Sequence, residues 1–153
     1  MLKCNIDATT LHLINKVGFG CIIRNANGDM IGAKNGTLSA PLDPLLAEAL
    51  SCREALSWIK DLGLRDVCVE SDALLLITAL RGTSDDFSYF GLIVQDCKRL
   101  ASDLLNCSFR FVRRSANQAT HVLARAADSM SGQECWEDVP PSFISNVLEV
   151  DLI

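Results

Sequence analysis

Three acids sit where a purely structural role explains them poorly. Asp7 closes a short alternating segment, Glu48 falls beside the apolar stripe of a helical stretch, and Asp72 follows a short apolar run. If the strands bearing Asp7 and Asp72 pair in parallel, both carboxylates emerge together at the strands' carboxyl ends. Ligand crevices of open α/β sheets form there. A helix packed across that sheet brings Glu48 to the same place. Carboxylates so crowded repel one another and tend to take up protons. A hard divalent cation, which favours oxygen ligands, removes that repulsion. Two such ions can clamp the attacking and leaving oxygens of a phosphodiester displacement. Each acid also has an ordinary role open to it: Asp72 as a helix N-cap, Asp7 as a turn residue, Glu48 with its carboxylate carried to solvent. Their joint placement is what points to metal-dependent nuclease chemistry.

The elements that must position these acids follow from the apolar pattern. Leu2 to Asp7 alternates, with Leu2, Cys4 and Ile6 on one face, as a half-buried strand does. Val17 to Arg24 is a second strand whose glycines permit close approach of neighbouring backbone. The turn residues Asn25 to Asp29 connect it to Met30–Ala33 in a hairpin. After a proline-bearing connection, Leu38 to Pro44, apolar residues recur at helical spacing to Leu62, and Gly63 supplies a stop. Val67–Val69 is a short strand, Ala73 to Leu80 a helix, Arg81 to Phe90 a polar acidic loop and Gly91 to Leu105 a helix. Cys107 to Val112 is a strand, and Asn117 to Asp128 a helix. The order β-β-β-α-β-α-α-β-α predicts an α/β domain with a mixed five-stranded sheet flanked by helices. Residues 1–128 form this domain. Residues 129–153 read as an acidic C-terminal tail, with an apolar end at Val147, Leu148, Val150, Leu152 and Ile153, that either docks on the body or strays.

Composition narrows the partners. The chain has 153 residues, enough to bury one core, and a formal net charge of −5. Six of its acids (Asp128, Glu134, Glu137, Asp138, Glu149, Asp151) follow Ala126 with no Lys or Arg among them, so the body is nearly neutral. A strongly basic nucleic-acid binder is excluded, while a local basic patch is not. Arg110, Arg113, Arg114 and Arg125 form such a cluster in sequence. They would engage phosphates, the alternative being ordinary surface arginines. Seven scattered cysteines with no CxxC pair read as free thiols of a reducing compartment, nucleus or cytoplasm. No segment is long and apolar enough to span a membrane, and no secretory leader pattern follows Met1.

Asn5-Ile6-Asp7, Gly18 to Arg24 (GFGCIIR), Ala47-Glu48-Ala49, Val69-Glu70-Ser71-Asp72 and Asn117 to Arg125 (NQATHVLAR) together resemble the ribonuclease H type 1 family. More narrowly, they resemble its plant branch, related to the RNase H domains of non-LTR retroelements. The resemblance runs from Lys3 to about Asp128. It implies an RNase H-like fold and a monomeric enzyme that hydrolyses the RNA strand of RNA–DNA hybrids with two Mg²⁺ (or Mn²⁺) ions. Carried over by position, Asp7 would bridge both metals, and Glu48 and Asp72 would complete one site. His121 stands where the family's fourth acid sits, as a second-metal ligand or general base; the alternative is a structural histidine. An imidazole in place of a carboxylate weakens attraction for Mg²⁺ and suits transition metals better.

Other positions depart from the family pattern. Ala8 replaces a frequent glycine, and Leu42-Asp43-Pro44 lacks an Asn-rich stretch. Asp85 and Asp86 stand where a basic handle is expected, and Arg113 to Ala116 is a shortened loop. Weak binding of a hybrid follows. Two other readings are a catalytically inactive, retroelement-derived module that binds nucleic acid or protein, and a DNA-directed nuclease of the same superfold. Recognition of the 2′-hydroxyl would separate the last from the first.

Overall fold

A computed structural model describes residues 1–83, 85–129 and 133–151, the side chains of 149–151 excepted. The expected apolar end at Leu152 and Ile153, and the side chain of Val150, lie outside the described residues. The strands are β1 (Leu2–Leu11), β2 (Lys16–Arg24), β3 (Met30–Leu38), β4 (Val67–Ser71), β5 (Cys107–Phe111) and β6 (Glu134–Glu137). The helices are α1 (Pro44–Asp61), α2 (Leu74–Arg81), α3 (Tyr89–Ser102), α4 (Gln118–Ala126) and α5 (Ser145–Asp151). They form a mixed sheet in the order β5-β4-β1-β2-β3-β6, with β4 parallel to both β1 and β5 and the other pairs antiparallel.

Helix α1 begins as its sequence dictates. Asp43 accepts hydrogen bonds from the amides of Leu45 and Leu46, and Pro44 occupies the first turn, where its missing N–H costs nothing. Past Leu62, Gly63 adopts a φ of +67°, a conformation glycine tolerates best. The apolar stripe of α1, including Leu46, Ala49, Cys52 and Leu56, packs on Cys4, Ile6, Cys21 and Val69 of the sheet, with α2 and α3 completing that core. The opposite sheet face is covered by α4, whose Ala119 and Leu123 meet Ile22, Met30 and Ala33.

Three expectations are corrected. The sheet has six strands, not five: Glu134–Glu137, expected in the tail, pairs antiparallel with β3. This covers an edge that would otherwise expose unpaired backbone groups. The same segment docks further through a fully buried Ile144 and an edge-to-face contact of Trp136 with Phe143 at 6.1 Å. Second, β1 is not half-buried. Asn5 and Asp7, on its polar face, are 1% and 3% exposed. Helix α4 covers them, and their polar groups are met by side chains instead of water. Third, Asp7 does not end β1, which continues to Leu11 against β2. What ends near Asp7 is the parallel neighbour: the β1–β4 pairing stops at Asn5 with Glu70, and β4 stops at Ser71.

Gly20 lies directly opposite Asp7 on β2. A Cβ there would come within 2.9 Å of the Thr120 carbonyl oxygen and of the Ala124 amide nitrogen, both backbone atoms of α4. The missing side chain is what lets α4 settle over Asp7. Gly20→Ala should therefore lift α4 and destabilise the fold by about 1–3 kcal/mol, the usual cost of overpacking. Urea unfolding measures this; a midpoint unchanged from wild type would contradict the packing argument.

Candidate metal centre

Strand β1 carries Asp7, α1 carries Glu48, and the β4–α2 connection carries Asp72. One carboxylate oxygen from each lies within 4.8 Å of the other two. The three expected acids are thus gathered into one cleft of about 220 Å³, whose wall also includes Thr9, Arg114 and His121. Asp72 is not an N-cap. The cap position of α2 is Ala73, which makes no side-chain cap bond, and Ser71 Oγ accepts from the Ala73 amide at 3.0 Å. That turn frees Asp72 to face the cleft. Asp7 is held from behind by Ser51 Oγ, which donates to the Asp7 carbonyl at 2.8 Å from one turn beyond Glu48 on α1.

The electrostatics show what the crowding does. Burial, followed by the charges of Asp7 and Asp72, pushes the Glu48 carboxyl well above its ordinary value. Asp7 is also raised, by burial and then by Asp72, although His121 and the contact with Glu48 pull it partly back. Glu48 Oε2 is buried with no hydrogen-bond partner. A buried acceptor left unsatisfied is costly and rare. A cation among three hard oxygen donors would satisfy it and quench the repulsion, so the residues present fit a divalent metal.

His121, on α4, stands beside this trio. Its Nδ1 lies 2.7 Å from Asp7 Oδ2, and its side chain is 45% exposed. With Asp7 ionised, Nδ1 carries the proton and donates it to the carboxylate. The neutral ring then keeps an acceptor lone pair on Nε2.

The profile of the reverse transcriptase-like family matches residues 5–127, a span that includes all four of these side chains. The chain belongs to that family. Among solved structures, RNase H1 of the halophilic archaeon Halobacterium salinarum superposes with a TM-score of 0.75 at 19% identity, over 84% of this chain and 97% of that one. LC11-RNase H1, isolated from compost and solved in complex with an RNA/DNA hybrid, gives 0.74 at 16% identity over 86% and 100%. An RNase H domain of Mycobacterium tuberculosis gives 0.71 at 18% identity over 84% and 95%. These likenesses show an α/β RNase H-like fold. No curated protein sequence matches the chain. Among the described residues no helix is long and apolar enough to cross a membrane.

In this reverse transcriptase-like chain the four arginines do not act as one cluster. Arg114 is at the rim of the carboxylate cleft, its Nε 3.9 Å from Asp72 Oδ2 and its side chain largely in water. Arg113 and Arg125 are exposed on the segment before α4 and in its last turn. Arg110 is elsewhere. Its guanidinium pairs with the buried Glu70 on the neighbouring strand and lines a second cleft. Charge spacing along the chain carried no sign of this, because Glu70 reads as one more residue of the motif.

Two residues that sequence reasoning passed over hold the site together. Asn117 is fully buried, donates to the Ile6 carbonyl at 2.9 Å and accepts from Asn5 Nδ2 at 3.1 Å. Its own carbonyl accepts the His121 amide at 3.2 Å. Asn117 and Asn5 therefore fix α4, and with it His121, against the strand segment next to Asp7. The only sequence signal was that both fall within the motifs already singled out.

Because Glu48 and Asp7 are both raised above ordinary values of 4.5 and 3.8, the folded chain binds protons more tightly than the unfolded one. Their contribution favours folding below the unfolded values and is lost as pH rises through the folded ones. In metal-free buffer Glu48→Gln should be more stable than wild type at neutral pH. That advantage should shrink toward about pH 4, where the wild-type carboxyl is protonated. Urea unfolding across the range reads it, and a gap independent of pH would refute the assignment.

Proposed function

We propose that the chain binds RNA–DNA hybrids and hydrolyses the RNA strand by two-metal-ion catalysis, with Mg²⁺ or Mn²⁺ held by Asp7, Glu48, Asp72 and His121. The observation that carries this reading is the carboxylate trio gathered around the buried Asp7, with its unpartnered Glu48 oxygen. Bound ions would supply charge neutralisation at the scissile phosphate and an activated water. The residues' own tasks follow from their placement. Asp7, fixed by Ser51 and His121, and Glu48, on α1, present oxygens from two rigid elements, which suits precise positioning. His121 presents Nε2 from the exposed side of the cleft, where it can hold a metal or accept a proton from water. Arg113, Arg114 and Arg125, all exposed, would contact phosphates and give affinity independent of sequence. The hybrid seen with LC11-RNase H1 is a precedent from the same fold. The narrower plant, retroelement-derived origin rests on the motif resemblance alone.

A second reading, a binding module without turnover, is favoured by one feature. Asp85 and Asp86 are exposed on the 82–88 connection, so that segment repels a nucleic-acid backbone. Binding to a hybrid that is indifferent to metal and to Asp7→Asn would select it.

Cleavage of a labelled hybrid tests the first reading. Asp7→Asn should abolish it, and Mn²⁺ should support faster turnover than Mg²⁺, a preference that His121→Asp should reverse. Wild-type cleavage no greater than that of Asp7→Asn would end the enzymatic reading. Separately, replacing Arg113, Arg114 or Arg125 by Ala should lower the slope of log affinity against log salt by about one for each arginine that neutralises a phosphate. Filter binding at several salt concentrations measures this, and unchanged slopes would remove these residues from the interface.

A further inference from the structure

Closing the edge of β3 moves the open edge outward to β6. Among the described residues β6 is the outermost strand on that side, paired with β3 alone. The Asp138 amide donates to the Ile31 carbonyl at 3.1 Å. Hydrogen-bonded pairs alternate along an antiparallel ladder, so Ala33 with Trp136 and Asn35 with Glu134 are the next pairs to exchange bonds. Cys135 and Glu137 fall between them. Their amides, and the Cys135 carbonyl, therefore point away from β3, and both residues are exposed. The Glu137 carbonyl is taken by the Val139 amide.

A recess of about 260 Å³ lies beside this edge and shares its residues. Trp58, Leu62 and Leu64 wall it together with Gly32, and Glu137 and Asp138 stand on its outer side. A Cβ at Gly32 would come within 3.2 Å of the Trp58 ring, so the missing side chain is what seats the indole there. The volume is below the range of about 300–1,000 Å³ usual for small-molecule sites, and it suits one large side chain. Charge along the edge is of one sign. Glu134, Glu137 and Asp138 are exposed and make no ion pair among the described residues. The one base of β3, Lys34, is opposite Cys135.

We propose that the β6 edge and the Trp58 recess form a docking site for an extended, basic segment of a partner protein. That segment adds a seventh strand and bonds the outward main-chain groups of Cys135 and Glu137. One large apolar side chain enters the recess, and neighbouring Lys or Arg side chains meet Glu134, Glu137 and Asp138. Strand addition takes its affinity from main-chain bonds and its specificity from pockets beside the edge. A short acidic strand also guards an edge against self-pairing, but a guard needs no apolar recess next to it. The acids choose among occupants. A second copy, antiparallel in the symmetric register, would set Glu134 opposite Glu137, which is unfavourable for like charges. A nucleic acid would meet carboxylates here. The carboxylate centre takes no part, so docking is independent of catalysis.

The test is titration of the full-length chain with a synthetic heptapeptide of alternating Lys and Val, its central residue Leu, followed by the amide shifts of Cys135 and Glu137 and the indole N–H of Trp58. These signals should shift saturably. A peptide with Ser at the centre should bind about tenfold more weakly or worse, through loss of one buried apolar anchor. One with Glu for Lys should not bind. N-methylation of alternate peptide amides should abolish binding for the set that faces β6 and spare the other set. Glu137→Lys, at an exposed position, should weaken binding as well. No shifts, shifts confined to other faces, equal binding by the Ser or Glu peptide, indifference to both N-methylated sets, or undiminished binding by folded Glu137→Lys would overturn the proposal. So would broadening of β6 signals with chain concentration alone, which assigns the edge to a second copy, or displacement of the peptide by an RNA–DNA hybrid, which assigns it to nucleic acid.

Discussion

The structure turns on the burial of mutually repelling carboxylates around a single residue of β1. Asp7 is buried and Glu48 partly so, within reach of each other and of Asp72, and both are pushed toward their protonated forms. Such an arrangement lowers stability unless something positive enters the cleft. A fold optimised for stability alone would leave these side chains in solvent or pair them with bases. Among the described residues lining the cleft, the base Arg114 stays largely in water, and the His121 ring bonds Asp7. The stored repulsion is the physical basis for reading the cleft as a place for divalent cations.

Holding the acids together requires two helices to approach the same strand from opposite faces. On one face α1 is anchored by Ser51 to the Asp7 carbonyl and by its apolar stripe to the core. On the other, α4 rests against Gly20, where backbone meets backbone, and is tied down by the Asn117–Asn5 pair. Buried polar networks of this kind specify one geometry when every member is satisfied. The same network continues from Asn5 to Arg24, so the cleft lined by Arg110 and the support of the metal centre share a hydrogen-bonded frame.

Charge is distributed across the surface in a way that suits a nucleic acid poorly in some places and well in others. The 82–88 connection exposes Asp85 and Asp86, and the exposed positions of β6 carry Glu134 and Glu137. Exposed arginines flank α4, Arg113 and Arg114 before it and Arg125 in its last turn, while Arg53, Lys60 and Arg99 on α1 and α3 are paired with acids.

Much was legible in the chain itself, because local periodicity reports local structure. The alternation of Leu2–Asp7, the helical spacing from Pro44 to Leu62 and the hairpin turn at Asn25–Asp29 all follow from residue types a few positions apart, whereas the parallel pairing that brings Asp7 and Asp72 together was only a condition until the fold met it. The glycines of β2 likewise signalled close approach, and Gly20 makes it. Tertiary structure alone decided the sixth strand, since Glu134–Glu137 is too short to announce itself without the open edge of β3. It alone decided that the polar face of β1 is buried, because the partner that satisfies Asn5 lies 112 residues away. It decided that Ala73 and not Asp72 occupies the cap position, and that Arg110 belongs to Glu70. Spacing along a strand or helix tells which side chains share a face. What covers that face, and which charges meet beneath it, is settled only when distant segments compete to pack there.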